Sequence, residues 1–330
     1  MAGKGIFVDE IQPGRKIEGV FIIRAKSLKA FRDPSKGQYL ALTLADKSGH
    51  IEARVWEDAT ALGQTIEMND PVWVSALAED YQGQVQLQVA ELRKTSPEEC
   101  SKADFMSSTP KDVRELAKFI KEKVQSIGQE HLRRLVEAIL LEDEQVRRKF
   151  AECPAAERLH QNYLGGLLEH TAEVVDTCEF VAAKYVELDR DLLIAGAILH
   201  DIGKVREYSW DLAIDKTDEG ELLGHLVMGY EMVMGKIGEI EGFPEKTRIL
   251  LGHIILSHHG SYEWGSPKLP MTAEAMVLHL VENIDAQVHN IRQSTEEARK
   301  QGKTWTEWDR LFDRKWYVGD LGESPQESEE

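Results

Sequence analysis

The 330-residue chain has few cysteines, only Cys100, Cys153 and Cys178, and no CxxC pair. That scarcity argues against a disulfide framework and against a thiolate zinc site. Cys178 falls on a helical apolar stripe and reads as core. No apolar run approaches the ~20 residues that span a bilayer. The start, MAGKGIFVDEIQPG, lacks the apolar core of a secretory signal, so a cytoplasmic protein with no membrane contact is expected. Positive charge is also short, with 40 Lys and Arg against 58 Asp and Glu, a net −18. A long duplex-binding surface needs clustered cations and is disfavoured, whereas a local groove for a short single strand is not. Part of the acidity lies in the tail GESPQESEE, which reads as a disordered end. There is no internal repeat.

The length suits about two domains at roughly 150 residues each. Between residues 14 and 95 the pattern is that of strands. Gln38 to Leu44 alternates, Asp46-Lys47-Ser48-Gly49 is a turn signal, and Ile51, Ala53 and Val55 alternate again. A run from Val72 to Leu77, a turn at Tyr81-Gln82-Gly83-Gln84 and a run from Val85 to Val89 follow. About five short strands predict a small closed barrel, and YLALTLADKSGHIEARVW resembles an OB-fold. Such barrels bind single strands with aromatic and basic side chains. Arg24, Lys26, Phe31, Arg32, Tyr39, Arg54, Trp56 and Tyr81 are the candidates here, although Tyr39 and Trp56 serve equally well as barrel packing. The expected division is a barrel over 1–95, a linker and helical connector over 96–154, an all-α domain over 155–300, and a final segment with the acidic tail over 301–330. The three Trp of Trp305 to Tyr317 pack either on a domain or on a second subunit, as in a homo-oligomer.

Nine of the eleven histidines, all but His50 and His131, lie between 160 and 289. His170 ends GGLLEH and falls on the apolar stripe of Leu167, Val174, Cys178 and Val181, so it points inward. One such residue alone reads as a satisfied core histidine. DLLIAGAILHDIGK changes the argument, because an apolar helix there ends on His200, Asp201, Gly203 and Lys204. A carboxylate at a buried helix end is costly unless it is paired or bound to a cation, and adjacent His and Asp suit a divalent metal. Gly203 can end the helix. Lys204 can hold a phosphate oxygen, or simply favour a helix C-terminus. GHLVMG with His225 and LSHHG with His258 and His259 follow, then a helix from Thr272 to Asn290 with Glu282 and Asp285 one turn apart. In the loop after the His pair, Trp264 can stack on a base and Lys268 can meet a backbone, or the loop is structural and Trp264 anchors it.

The order His, His-Asp, His, His-His, acid resembles the HD-domain phosphohydrolases, and the HDIGK wording is specific within them. An OB-like start followed by HQNYLGGLLEHT, AGAILHDIGK, LLGHLVMG, LSHHGSYEWGSPKLP and ENIDA resembles the YhaM family of 3′→5′ exoribonucleases, over about residues 14–300. This resemblance implies an HD fold, a divalent metal (usually manganese) and stepwise hydrolysis of single-stranded RNA from its 3′ end. Residue by residue it implies that His170, His200 and Asp201 hold one ion. Asp201 then bridges to a second ion held by His225 and His258, with His259 in place of His258 or lining the pocket. The family's last acid is an Asp, and Glu282 stands where it would align, so the last ligand is open between Glu282 and Asp285. Two ions can activate the nucleophile, neutralise charge and stabilise the leaving oxygen. Iron, zinc, magnesium or cobalt would also suit such ligands. Lys204 is assigned to phosphate. His160 is assigned to phosphate or to protonating the leaving group, with a surface or capping role as its alternative.

The expected architecture is therefore a multidomain α and β protein, a five-stranded OB-like barrel followed by an all-α HD domain. The expected activity is metal-dependent exoribonuclease action on single-stranded RNA, with single-stranded DNA as a further partner. A phosphodiesterase or nucleotidase for a small nucleotide is the second reading, and a non-catalytic nucleic-acid-binding protein the third. One measurement bears on the open ligand. Glu282→Gln and Asp285→Asn each remove one charge at nearly constant volume, and Glu282→Gln is expected to cost more activity. A larger loss for Asp285→Asn would reassign the ligand.

Overall fold

The computed structural model describes residues 4–31, 33, 37–96, 99–156 and 161–319. Arg32, His160 and the acidic tail, all singled out in the sequence, lie outside the described residues.

The described chain divides into two compact units. The first is Met1–Pro110 together with Tyr208–Thr217, and the second is Lys111–Glu207 with Asp218–Glu330. The first unit is a closed barrel of β1 (Lys16–Ala30), β2 (Gln38–Asp46), β3 (Gly49–Val55), β4 (Pro71–Tyr81) and β5 (Gln84–Lys94), in the order β1-β2-β3-β5-β4. All neighbours are antiparallel except β3 and β5, which run parallel. This is the OB arrangement. β1 closes the barrel because its first half pairs with β4, its second half pairs with β2, and the register shifts between Ile23 and Ala25. The alternation in β2 and β3 sends Leu40, Leu42, Leu44, Ile51, Ala53 and Val55 inward.

The sequence expectation of strands alone over 14–95 misses one helix, α1 (Ala59–Thr65), between β3 and β4. It is short, with one buried residue, Ala59, so it shows no apolar period to read. A four-residue helix, α2 (Lys102–Phe105), buries Phe105 in a small cluster with Val20 and Ile22.

The second unit is helical: α3 (Val113–Gln125), α4 (Glu130–Val136), a π-helical turn at Glu137–Glu142, α5 (Glu144–Glu152), α6 (Gly166–Lys184), α7 (Arg190–Leu199), α8 (Lys204–Glu207), α9 (Asp218–Gly238), α10 (Glu245–Ser257) and α11 (Ala273–Lys300). The helices set apart in the sequence as a connector, α3 to α5, belong to this unit. α7 is apolar because it is enclosed, with every residue from Leu192 to Leu199 buried. A Cβ at Gly196 would stand 2.8 Å from Ile254, so glycine lets α7 approach α10.

The span 155–300 is not wholly helical. Between α8 and α9 the chain forms a hairpin of β6 (Tyr208–Trp210) and β7 (Ile214–Lys216), which groups with the barrel unit. Three residues per strand give a periodicity too short to detect. After α11 the chain folds back. Lys303 N–H donates to Ala298 O at 3.0 Å, and the Trp305 and Tyr317 rings meet at 5.0 Å, with both rings about half exposed or more. No helix among the described residues is long and apolar enough to cross a membrane.

One buried ion pair ties the start of the chain to the barrel. Lys4 Nζ lies 2.8 Å from Asp46 Oδ2, with both side chains nearly or fully enclosed. Asp46 also accepts from Val8 N–H and from Ser48 N–H and Oγ. Burial alone would raise the Asp46 carboxyl, but Lys4 and Ser48 hold it below its ordinary value. Its contribution to stability is therefore present above the unfolded carboxyl pKa and is lost as pH falls through the lower folded value. Asp46→Ala leaves a buried ammonium unpaired and should cost about 3 kcal/mol. Denaturant unfolding of the full chain measures this, and a loss under about 1 kcal/mol would make the pair a surface-type contact.

Candidate metal centre

α7 and α10 end in the same way. His200 caps α7 and its Nδ1 meets Ala197 O at 2.8 Å, while His258 caps α10 and its Nδ1 meets Ile255 O at 2.8 Å. A carbonyl only accepts, so the proton sits on Nδ1 and each Nε2 presents a lone pair. Both Nε2 atoms are buried without a hydrogen-bond partner.

Three more imidazoles follow the same rule. His170, in the second turn of α6, meets Asp285 Oδ2 through Nδ1 at 2.7 Å. His225 on α9 meets Glu207 Oε2 through Nδ1 at 2.7 Å. His259 donates from Nδ1 to Trp264 O at 2.8 Å. With their Nδ1 protons so placed, His225 and His259 bring two Nε2 lone pairs to 3.1 Å of each other. Two lone pairs at that distance repel unless a cation or a proton lies between them. Burial, and then the neighbouring His225, push His259 down to about 4. Burial likewise holds His258 well below its ordinary value. Neutral imidazoles of this kind are metal ligands.

Asp201 stands at the centre. Its Oδ2 lies 3.4 Å from His200 Nε2 and 3.7 Å from His170 Nε2. Its Oδ1 lies 3.4 Å from His225 Nε2 and 3.5 Å from His258 Nε2. Donors each ~2.1 Å from a common ion would be roughly 3–3.5 Å apart, so three of these spacings suit ligands that share an ion, and that of His170 is slightly wider. Neither oxygen has a hydrogen-bond partner. The Lys204 ammonium forms an ion pair with Oδ2 at 2.6 Å, outside hydrogen-bond geometry. Burial would raise the Asp201 carboxyl, but Lys204 and His200 hold it well below the usual carboxylate range. Two groups of ligand atoms result, His170 with His200 and Asp201, and His225 with His258 and His259, the atoms of each group within 4.8 Å of one another. The orphaned buried donors and the facing lone pairs fit divalent cations.

The structure thus brings His170, His200, Asp201, Lys204, His225, His258 and His259 together. His259 stands beside His258 as a third member of its group instead of replacing it. Glu282 is close enough to His200, Asp201 and Lys204 to feel their charges. Burial first, then Asp201 and Asp285, push its carboxyl up to about 7, against the opposing pull of His200 and Lys204. Asp285 lies on the Nδ1 side of His170. The sequence reading overlooked Glu207, which is buried behind His225. Its only signal was an acid in HDIGKVRE, one more charge beside Lys204 and Arg206.

The nucleic-acid candidates fare unevenly. Phe31, Tyr39 and Trp56 form one aromatic cluster on the barrel, with centroids 4.9 to 5.6 Å apart, and Arg54 lies over Tyr39 at 5.8 Å. Trp56 also borders a groove of about 540 Å³ shared with Trp73, Arg93 and the acids Glu57, Asp58 and Glu91. Tyr81 is exposed beside the β4–β5 turn. Arg24 and Lys26 do not stand free as the sequence suggested. Arg24 donates to Asn69 Oδ1 at 3.0 Å. Lys26 donates to Gly63 O at 3.1 Å, to Ile66 O and to Glu67 Oε2, closing the end of α1. In the second unit Trp264 and Lys268 are exposed, and Trp264 is tied to the centre through its carbonyl.

Comparison with known proteins agrees with this geometry. The HD domain family matches residues 167–287. The 3′-5′ exoribonuclease YhaM of Shouchella clausii is 35% identical over 292 residues, 87% of this chain and 88% of that protein. That of Bacillus subtilis is 33% identical over 298 residues, 90% and 92%. That of Halalkalibacterium halodurans is 32% identical over 319 residues, 95% and 96%. Among solved structures, the second OB-fold domain of replication protein A from Methanococcus maripaludis aligns with 28% of this chain and 94% of its own, at 19% identity and a TM-score of 0.24. The strand order, not that likeness, carries the barrel assignment.

The geometry makes a direct prediction for metal content. Asp201→Ala should remove most bound divalent ion and abolish hydrolysis, whereas Glu207→Gln should weaken binding about 10–100-fold through a misplaced His225. Elemental analysis after dialysis against a set metal concentration measures both. Normal occupancy in the Asp201 variant would remove that residue from the centre.

Proposed function

Because the chain belongs to the YhaM family of 3′→5′ exoribonucleases, we propose that it shortens single-stranded RNA from the 3′ end by metal-dependent hydrolysis in the cytoplasm. The observation that carries the metal reading is the set of five Nε2 atoms, each with its Nδ1 engaged, turned toward one another around an unbonded Asp201. Two ions, manganese in this reading, would supply Lewis-acid charge and a lowered pKa for the attacking water.

The chain's own residues do the rest. His170, His200 and Asp201 would hold one ion, and His225, His258 and His259, with Asp201 between the two groups, would hold the other. Glu282, on α11 and close enough to His200 and Asp201 to feel their charges, would complete the set as the last acid. Asp285 and Glu207 fix the rings of His170 and His225. Burial would lower the Lys204 ammonium, but Asp201, Glu282 and Glu207 together hold it above its ordinary value, so it keeps its charge and offers it to a non-bridging phosphate oxygen. His160 remains the proposed acid for the leaving oxygen.

Trp264, exposed and joined to His259 through its carbonyl, gives the terminal base a stacking face, and Lys268 meets the adjoining backbone. Phe31, Tyr39, Trp56 and Arg54 hold single strand on the barrel. That aromatic cluster favours a polymer over a small nucleotide, which needs no second stacking platform. The direction of attack is taken from the relatives' activity.

The test is a 5′-end-labelled single-stranded RNA incubated with Mn²⁺. A ladder shortening from the 3′ end is expected, with little action on blunt duplex. Trp264→Ala should raise the apparent KM roughly tenfold, the effect of ~1–3 kcal/mol of stacking, and change kcat far less. Turnover of small nucleotides with an untouched oligonucleotide would favour the phosphodiesterase reading. Binding without turnover of either substrate would favour the non-catalytic one.

A further inference from the structure

His279 on α11 joins neither group of ligand atoms in the metal centre, yet it touches the backbone that carries two of them. Its Nδ1 meets His258 O at 2.9 Å. A carbonyl only accepts, so Nδ1 holds the proton and the neutral ring presents Nε2 as an acceptor. Among the described residues no hydrogen bond reaches that nitrogen, and the ring is half-buried.

The ring is seated against the loop that follows the histidine pair. Gly260 takes φ 72, and a Cβ there would stand 2.2 to 2.4 Å from three atoms of the His279 ring. Only glycine lets the loop lie this close. The loop is tied down further along. Trp264 N–H and Ser266 N–H both donate to Ser261 O at 3.1 Å, and Met271 N–H donates to His253 Nε2 at 2.8 Å. Ser266 is buried, with its Oγ 3.1 Å from Leu256 O. These contacts fix Trp264, whose exposed ring lies 6.2 Å from that of His279, centroid to centroid.

The last nucleotide of a strand has three parts to place. In the function proposed above, its base lies on Trp264 and the phosphate to be cut lies at the metals. The ribose joins the two, which brings it to the Trp264 side of the His258–His259 backbone, where His279 stands. A terminal ribose carries two hydroxyls, and each has a hydrogen to donate. Lys204 and Lys268 only donate, so that hydrogen needs a different partner, and an imidazole nitrogen of fixed tautomer suits it. The 2′-hydroxyl tells RNA from DNA, and a free 3′-hydroxyl marks the end of the strand.

We propose that His279 is a specificity-determining residue, whose Nε2 accepts a hydrogen bond from a hydroxyl of the terminal ribose. This rests on the exoribonuclease reading above. One ring thereby serves two ends. Its Nδ1 braces the backbone of the ligand His258, and its Nε2 reads the sugar that distinguishes a proper substrate end.

The test uses three single-stranded RNA oligonucleotides that differ only in the last sugar, which is ribose, 2′-deoxyribose or 3′-deoxyribose. Removal of the last nucleotide with Mn²⁺ is measured as kcat/KM for full-length wild type and His279→Asn. The Asn amide can donate where Nδ1–H stood, but its side chain ends short of Nε2, so the variant keeps the bond to His258 O and loses the acceptor. Wild type should prefer the ribose end over one of the two deoxy ends by roughly fivefold, the effect of one neutral hydrogen bond. The end that suffers identifies the hydroxyl. In His279→Asn that preference should fall to near one, with Mn²⁺ affinity, read by calorimetric titration, still close to that of wild type. Wild type with no preference for either hydroxyl would overturn the proposal, and so would a preference that survives in His279→Asn. Weakened Mn²⁺ binding with all three ends slowed equally would make His279 only a support for His258. The His279 Nε2 nitrogen signal of metal-free wild type, read by NMR, should move on addition of the ribose-ended strand and not of the strand lacking the identified hydroxyl. That signal decides the matter if His279→Asn does not fold, and a signal unmoved by any strand overturns the proposal. If wild type cuts none of the strands, the exoribonuclease reading fails by itself, and the Nε2 signal still reports whether His279 meets a terminal hydroxyl.

Discussion

A carboxylate enclosed by protein, with neither oxygen hydrogen-bonded, is among the least tolerable groups a fold can hold. Asp201 is such a group, and much of the helical unit is arranged around it. Its two oxygens face different pairs of imidazoles, and Lys204 supplies a fixed cation beside them. Without added positive charge, the site has four imidazole lone pairs crowding an anion. Divalent cations would convert that repulsion into coordination, so a geometry that is costly without metal would be favourable with it.

The imidazoles are aimed by whatever their other nitrogen finds. For His200 and His258 the partner is the carbonyl three residues earlier, one of the unsatisfied carbonyls at the end of each one's own helix. Capping a helix and orienting a ligand are here a single contact. The outer rings need help from a distance. Asp285 comes from α11 to His170 across 115 residues of chain, and Trp264 serves His259 from the following loop. Because these supports come from several elements, the aim of the rings depends on packing well beyond the rings themselves.

The barrel solves a different problem in a chain with net charge −18. In the proposed function its aromatic cluster holds bases by stacking, which is indifferent to the sign of the surrounding charge. Two of the cations that looked available for phosphate serve the fold instead. Lys26 closes α1, and Arg24 supports the Asn69 contact to the hairpin.

Elements whose cause is local were legible in the sequence. Strand alternation between Gln38 and Val89 specified the barrel, because each strand must turn one face inward. The apolar run into His200 and Asp201, repeated by the one into His258, specified that ligand-type residues end buried helices. Tertiary structure decided what arises only when distant segments meet. It put Asp285 and Glu207 against ring nitrogens, grouped His259 with His225, occupied Lys26 and Arg24, and placed a hairpin of three-residue strands with the barrel. None of these leaves a period in the sequence. A hydrogen-bond acceptor behind a histidine can come from any acid or carbonyl in the chain, and only the folded distances select which one it is.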